Sequence, residues 1–298
     1  MAGLDRKHLR LQEIQRLLRF AFKPRHILAG GYVGKHESPQ RGQSVEFRDF
    51  RPYMPGDDVS HVDWKVYGRT DKLYVRLFEH ETELTVTLLV DGSSSMHYER
   101  IPGVVTKYDH ACRIAAALGF IVVHGQDRVG FGLARGELLD YLPPSNSIGQ
   151  FTQMLDAMQN RQPAGVAKLA RCLQQVAATV KRGETIIVCS DLWEDLDGFL
   201  QAAARIRHAG GELIIFHVLH PHELKLPDWS AAELIDSERA VRMQVDLDEL
   251  RPAYIAKMRE RLEMLERRCR QAEIQYQLAL LSEPYQRTLE RFLERRCS

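Results

Sequence analysis

Several kinds of segment are missing or scarce in this 298-residue chain, and each absence removes a class of protein. Apolar stretches such as 84–90 and 114–123 fall short of the ~18 to 20 residues needed to cross a bilayer. Residues 1–20 form a charged amphipathic pattern instead of a leader. A soluble, unexported chain with no membrane span is expected. Cysteine is sparse: Cys112, Cys172, Cys189, Cys269 and Cys297 are odd in number and include no Cys-x-x-Cys pair. Neither a disulfide framework nor a zinc site is expected, and the thiols read as reduced in a cytoplasmic protein. No Gly-x-x-x-x-Gly-Lys-Ser/Thr loop exists, and Gly130-Phe131-Gly132 sits in a strand pattern with no further glycine, so nucleotide binding has no support.

An excess of charge of one sign is missing too. The 41 Lys and Arg face 40 Asp and Glu, which argues against a general polyanion binder. The balance is nevertheless uneven along the chain. Residues 1–25 carry seven basic and two acidic side chains, residues 251–298 carry eleven and seven, and the stretch between carries 23 and 31, for net charges of +5, +4 and −8. Basic ends suit nucleic-acid arms. Here they lack interleaved aromatics and a recognition motif, and Glu260, Glu263, Glu266, Glu290 and Glu294 punctuate the C-terminal run. Solvated helix faces explain them, so no nucleic-acid partner is expected; binding of nucleic acid through the basic terminal helices stands as an alternative.

With 44% hydrophobic residues the chain has material for a sizeable core. Leu9, Leu11, Ile14, Leu17, Leu18 and Phe22 recur near every 3.6 residues and predict an N-terminal helix stopped by Pro24, followed by a glycine-containing loop through Gln43. From 45 to 82 aromatic, proline and charged residues mix densely, with strand-like alternation over 73–78 and a turn signal at Pro55-Gly56-Asp57. A small β-rich lobe is expected there, salt-bridged and with Tyr53 and Trp64 as packing anchors. From residue 83 onward short β-branched runs alternate with helical stretches, the pattern of a mostly parallel sheet covered by helices on both faces. Strands are predicted at 84–90, 127–133, 185–189, 212–219 and 274–280, with an edge strand at 136–142. Helices are predicted at 108–124, 148–158, 169–180, 196–208, 251–272 and 285–294, and residues 220–250 read as an excursion across the surface. The division is therefore 1–82, an N-terminal helix and β-rich lobe, and 83–298, an α/β domain.

In such a sheet, ligands bind beyond the carboxyl ends of the strands. The residues leaving the first of these strands are Asp91-Gly92-Ser93-Ser94-Ser95-Met96. A carboxylate followed at +2 and +4 by hydroxyls offers three hard oxygen donors on one turn, a set suited to Mg²⁺ with waters completing an octahedron. A Ser-rich turn that caps the next helix uses the same residues without a metal. Strand 185–189 ends in Ser190-Asp191, and pairing of the two strands would bring Asp191 close to Asp91. Gly-x-Ser-x-Gly is absent, so a hydrolase acting through Ser93 to Ser95 is kept only as an alternative and no catalysis is expected. His217, His220 and His222 read as a strand-end loop, because no Cys or carboxylate completes a zinc set at regular spacing.

The Asp91-x-Ser93-x-Ser95 turn together with Asp191 resembles the metal-ion-dependent adhesion site of von Willebrand factor A domains. The resemblance narrows upstream. Glu46-Phe47-Arg48-Asp49, Arg51-Pro52-Tyr53, Pro55-Gly56-Asp57-Asp58, Val62-Asp63-Trp64 and Arg69-Thr70 stand in the order and spacing of the bacterial family called domain of unknown function 58. Gln126-Asp127-Arg128-Val129-Gly130 and Glu283-Pro284-Tyr285 extend the similarity to roughly 25–298. The resemblance implies a von Willebrand A-like, Rossmann-like domain behind the β-rich lobe and a non-catalytic interaction or adaptor role. It also implies a MoxR-type AAA+ ATPase and a client as partners. By the same resemblance Asp91, Ser93 and Ser95 hold Mg²⁺, Asp191 acts through water, and an acidic side chain of the partner completes the coordination. One ligand departs from the pattern: Gly165-Val166-Ala167-Lys168-Leu169 places Ala167 where a Thr hydroxyl belongs.

Overall fold

The computed structural model describes residues 5–20, 22, 45–57, 59–80, 84–97, 105–235 and 242–297. Its strands are β1 (Val45–Pro52), β2 (Tyr74–His80), β3 (Thr85–Asp91), β4 (Arg128–Arg135), β5 (Glu137–Ser145), β6 (Thr185–Ser190), β7 (Glu212–Leu219), β8 (Ala231–Ile235), β9 (Arg242–Asp246) and β10 (Gln275–Leu280). Its helices are α1 (Leu11–Ile14), α2 (Trp64–Thr70), α3 (Lys107–His124), α4 (Ile148–Asn160), α5 (Leu169–Ala177), α6 (Leu196–His208), α7 (Pro221–Leu224), α8 (Leu247–Gln271) and α9 (Tyr285–Cys297). They divide into two compact units, one within 28–83 and the other within 1–27 and 84–298.

In the larger unit six strands form one sheet in the order β10-β7-β6-β3-β4-β5, all parallel except the edge strand β5, which runs antiparallel to β4. This is the mostly parallel α/β sheet with helices on both faces expected from the sequence. The central strands β3 and β6 are buried along nearly their whole length, which is why they read as continuous apolar runs. Their side chains serve two cores by alternation. Val86, Leu88, Val90, Ile187 and Cys189 face one core with α3, α4 and α9, whereas Leu89, Ile186 and Val188 face the other with α5 and α6. The chain leaves β3 through α3 toward β4 on one side, and leaves β6 through α6 toward β7 on the other. The carboxyl ends of β3 and β6 are thus a topological switch point, where the diverging connections open a crevice.

Two expectations change. The N-terminal helix is only α1 followed by a 3-10 turn at Leu17–Arg19, although Leu9, Ile14 and Leu17 are fully buried as their spacing implies. Polar contacts join it to the helices beneath: Arg6 Nε lies 3.0 Å from Asp156 Oδ1, and Lys7 Nζ and His8 Nε2 each lie 2.8 Å from Asp109 Oδ1. Because those contacts sit on α3 and α4, residues 5–20 belong with the larger unit and not with the lobe as the 1–82 division had it. The predicted loop up to residue 43 lies outside the described residues.

Within the smaller unit β1 and β2 pair antiparallel, with an irregularity between Phe47 and Asp49. Helix α2, which the aromatic-rich text concealed, is capped by Asp63, whose Oδ1 accepts from Lys65 N at 2.8 Å and Val66 N at 3.1 Å. The expected salt bridge is present: Arg51 Nη2 donates to Asp57 Oδ1 at 2.6 Å, and Met54 N donates to Asp57 Oδ2 at 2.9 Å, closing the Pro55-Gly56 turn. Trp64, expected as a packing anchor, is 58% exposed and meets the edge of Tyr67 at 6.2 Å between ring centroids, because it opens a short surface helix. The excursion 220–250 contains α7 and the antiparallel pair β8-β9.

Candidate functional site at the carboxyl ends of β3 and β6

Strand β3 delivers Asp91 into the crevice, 2% exposed. Its Oδ1 accepts from Ser93 N at 2.9 Å and from Ser93 Oγ at 2.7 Å, and its Oδ2 accepts from Ser190 Oγ at 2.5 Å. Ser95 Oγ stands 2.9 Å from Ser93 Oγ, and since the Ser93 proton is given to Asp91, Ser95 is the donor in that contact. The turn is held from outside by Ser94 N donating to Gly165 O (2.8 Å) and Ala164 N donating to Gly92 O (2.9 Å). Burial, followed by repulsion from Asp191, pushes the Asp91 carboxyl up to about 7, against the hydrogen bonds of Ser190 and Ser93. All its hydrogen-bond partners are neutral, so this buried carboxylate would be relieved by a cation.

Adjacent oxygens of a Mg²⁺ octahedron, at 2.0–2.1 Å from the ion, stand about 2.9 Å apart. The 2.7 and 2.9 Å separations among Asp91, Ser93 and Ser95 match that edge. They are also ordinary hydroxyl hydrogen-bond lengths, so the chemistry of the donor set, one carboxylate and two hydroxyls, is what suits a hard divalent ion. Its expected surroundings differ. Ala167 is buried and brings no hydroxyl, and its carbonyl already accepts from Gly136 N at 2.9 Å. Asp191 reaches the same crevice, but its Oδ2 accepts from Lys107 Nζ at 2.7 Å.

Lys107, Glu223, Ser190 and His217 complete the site and were not singled out as site residues from sequence. Lys107 opens α3 directly after its cap Thr106 and is buried there. His217 is buried; its Nε2 lies 2.9 Å from the Asp191 carbonyl, which can only accept, so Nε2 carries the proton and Nδ1 accepts from Tyr276 Oη at 2.5 Å. Burial lowers this imidazole to about 4, so it is neutral. His220 caps α7 by accepting from His222 N. The strand-end loop expected for these histidines is not what the structure shows: His217 is buried within β7, and His220 and His222 form the cap and first turn of α7. Glu194 does not serve its own helix: its two oxygens accept from Lys168 N and Leu169 N, at 2.6 Å each, at the start of α5. Asp195 caps α6 instead.

Comparison with known proteins agrees with the sequence resemblance. Residues 49–264 match the model of a family described as protein of unknown function DUF58. The uncharacterized protein Rv1480 of Mycobacterium tuberculosis is 30% identical over 226 residues, covering 74% of this chain and 69% of its own. YeaD of Bacillus subtilis is 22% identical over 231 residues, 76% of this chain and 52% of its own. Among solved structures, an aerotolerance-related membrane protein from Bacteroides fragilis aligns at 17% identity and TM-score 0.45, covering 70% of this chain and 98% of that one. The SpRpn10 VWA domain aligns at 17% identity and TM-score 0.35, over 46% and 76%. No helix among the described residues is long and apolar enough to cross a membrane. On the family model and the 30% identity to the mycobacterial protein, the chain belongs to the DUF58 family.

Proposed function

We propose that this chain is a non-catalytic protein-interaction module that docks its partner at the carboxyl ends of β3 and β6. The observation that carries the reading is the buried Asp91 carboxylate with neutral partners, sharing an octahedral-edge spacing with Ser93 and Ser95. Asp91, Ser93 and Ser95 would hold Mg²⁺, with waters in the positions that Ala167 and the lysine-bound Asp191 do not supply. When bound, the ion offers a coordination position to a carboxylate of the partner. Ser95 is half-buried, so that position opens toward solvent. By the family resemblance the partner would be a MoxR-type AAA+ ATPase or its client, met in the cytoplasm.

Mg²⁺ should raise the melting temperature of the wild type and leave Asp91→Ala unmoved; an equal shift in both would sink the metal site. Recovery of an ATPase from a Mg²⁺-containing pull-down, lost with Asp91→Ala, is the expected partner result. Ester or phosphoester hydrolysis lost on Ser93→Ala would instead favour the hydrolase alternative.

A further inference from the structure

Beside the Asp91 turn stands a second charged assembly. Lys107 is 1% exposed, and its Nζ lies 2.7 Å from Asp191 Oδ2 and 2.6 Å from Glu223 Oε1. Burial opposes its charge, but the two carboxylates outweigh burial and hold the ammonium above the ordinary lysine range. One cation thereby joins the start of α3, the end of β6 and helix α7. Trp193 Nε1 donates to Glu223 Oε1 at 3.3 Å, and Arg261 braces the same loop, donating from Nη2 to Leu192 O at 2.7 Å with its guanidinium 4.5 Å from the Trp193 ring centroid. Trp193 is 44% exposed, so this rim faces solvent.

We propose that Lys107 is the resident cation of this corner: it claims Asp191, the carboxylate that the resemblance assigns to a metal-bound water, and sets the Trp193 rim without a divalent ion. The location of the docking face rests on the reading above, whereas the lysine cluster stands whether or not Mg²⁺ binds. The ammonium, stripped of water, is matched by both carboxylates, and its 2.7 Å contact with Asp191 Oδ2 fixes the orientation of that carboxylate toward α3. Two cations then divide the work. A divalent ion at Asp91, Ser93 and Ser95 faces the partner's acid, and the fixed charge of Lys107 holds the frame.

Replacing Lys107 removes the ammonium paired with Asp191 and Glu223 and leaves these carboxylates close to Asp91, a charge that an added divalent cation would offset. The full-length chain is compared as wild type, Lys107→Met and Asp191→Asn by thermal unfolding and tryptophan emission, in EDTA and in Mg²⁺. EDTA should leave the wild-type emission unchanged. Lys107→Met should lose on the order of 10 °C in EDTA and regain much of it with Mg²⁺, more than the wild type gains. Asp191→Asn should keep a Mg²⁺ shift of wild-type size. Loss of that shift in Asp191→Asn, to the extent seen in Asp91→Ala, overturns the proposal by returning Asp191 to the metal. So does a Lys107→Met chain that responds to Mg²⁺ no more than the wild type. If the wild type ignores Mg²⁺ altogether, the metal reading fails, and the lysine cluster is decided by Lys107→Met/Asp191→Asn: a double variant less destabilised than the sum of the two supports it, and additive losses overturn it. Should Lys107→Met not fold, Glu223→Gln replaces it in the same cycle with Asp191→Asn, with the same two outcomes.

Discussion

Replacing His110 with Leu should make the protein more resistant to acid without changing it near neutral pH. His110 lies in the first turn of α3, 4% exposed, and its Nε2 has no hydrogen-bond partner among the described residues. Burial, with the like charge of Arg113 added, lowers it from 6.5 to about 4. The unfolded chain binds a proton at this residue near pH 6.5, whereas the folded chain resists until about pH 4. Between those values the unfolded state holds more protons, so stability falls as pH falls, and the loss is complete below the folded value. The difference corresponds to roughly 3 kcal/mol at about 1.4 kcal/mol per pH unit. His217, lowered to about 4 by burial, adds a loss of the same sign. Asp91, raised to about 7 by burial and Asp191, contributes the opposite sign in the same window. Both remain in wild type and variant, so they cancel in the comparison. Urea unfolding of the two proteins from about pH 7.5 down to about pH 4.5 should give superimposable stabilities at the upper end. A gap of about 2 to 3 kcal/mol in favour of His110→Leu should open at the lower end. Two profiles that run parallel across the range would refute the reasoning.

Two further predictions concern the frame of the site. A Cβ on Gly92 would stand 3.0 to 3.3 Å from the Leu133 side-chain carbons. Gly92→Ala should therefore cost about 1–3 kcal/mol by overpacking, and combining it with Leu133→Ala should cost less than the sum of the two; additive losses in chemical denaturation would exclude that contact as the cause. Glu194→Ala removes both acceptors from the start of α5 and should cost about 1–2 kcal/mol, with Glu194→Gln intermediate because an amide oxygen accepts only one of the two bonds. Equal melting temperatures for the two variants would show that Glu194 does not cap that helix.

How much was legible in advance follows from how far apart the cooperating residues lie. Strands β3, β4, β6 and β7 were readable because a strand buried on both faces must be apolar at almost every position, whatever its neighbours are. The Asp91-Ser93-Ser95 donor set was readable because three oxygens within five residues are brought together by one turn. Helix α2 was concealed because its exposed face lacks an apolar period, although Asp63 carried the capping signal. The N-terminal segment showed which residues bury, but not that polar contacts to Asp109 and Asp156 would join it to α3 and α4 with little helix.

Sequence alone determined the layer architecture and the short-range donor turn, since burial and local geometry leave their record in spacing. Only the tertiary structure decided what surrounds that turn. Lys107 meets Asp191 across 84 residues and Glu223 across 116, and Glu194 reaches the start of α5 from 25 residues away. The pairing of a buried charge leaves no period in the chain: only the fold shows that Lys107 is buried and that the end of β6 and helix α7 bring it Asp191 and Glu223.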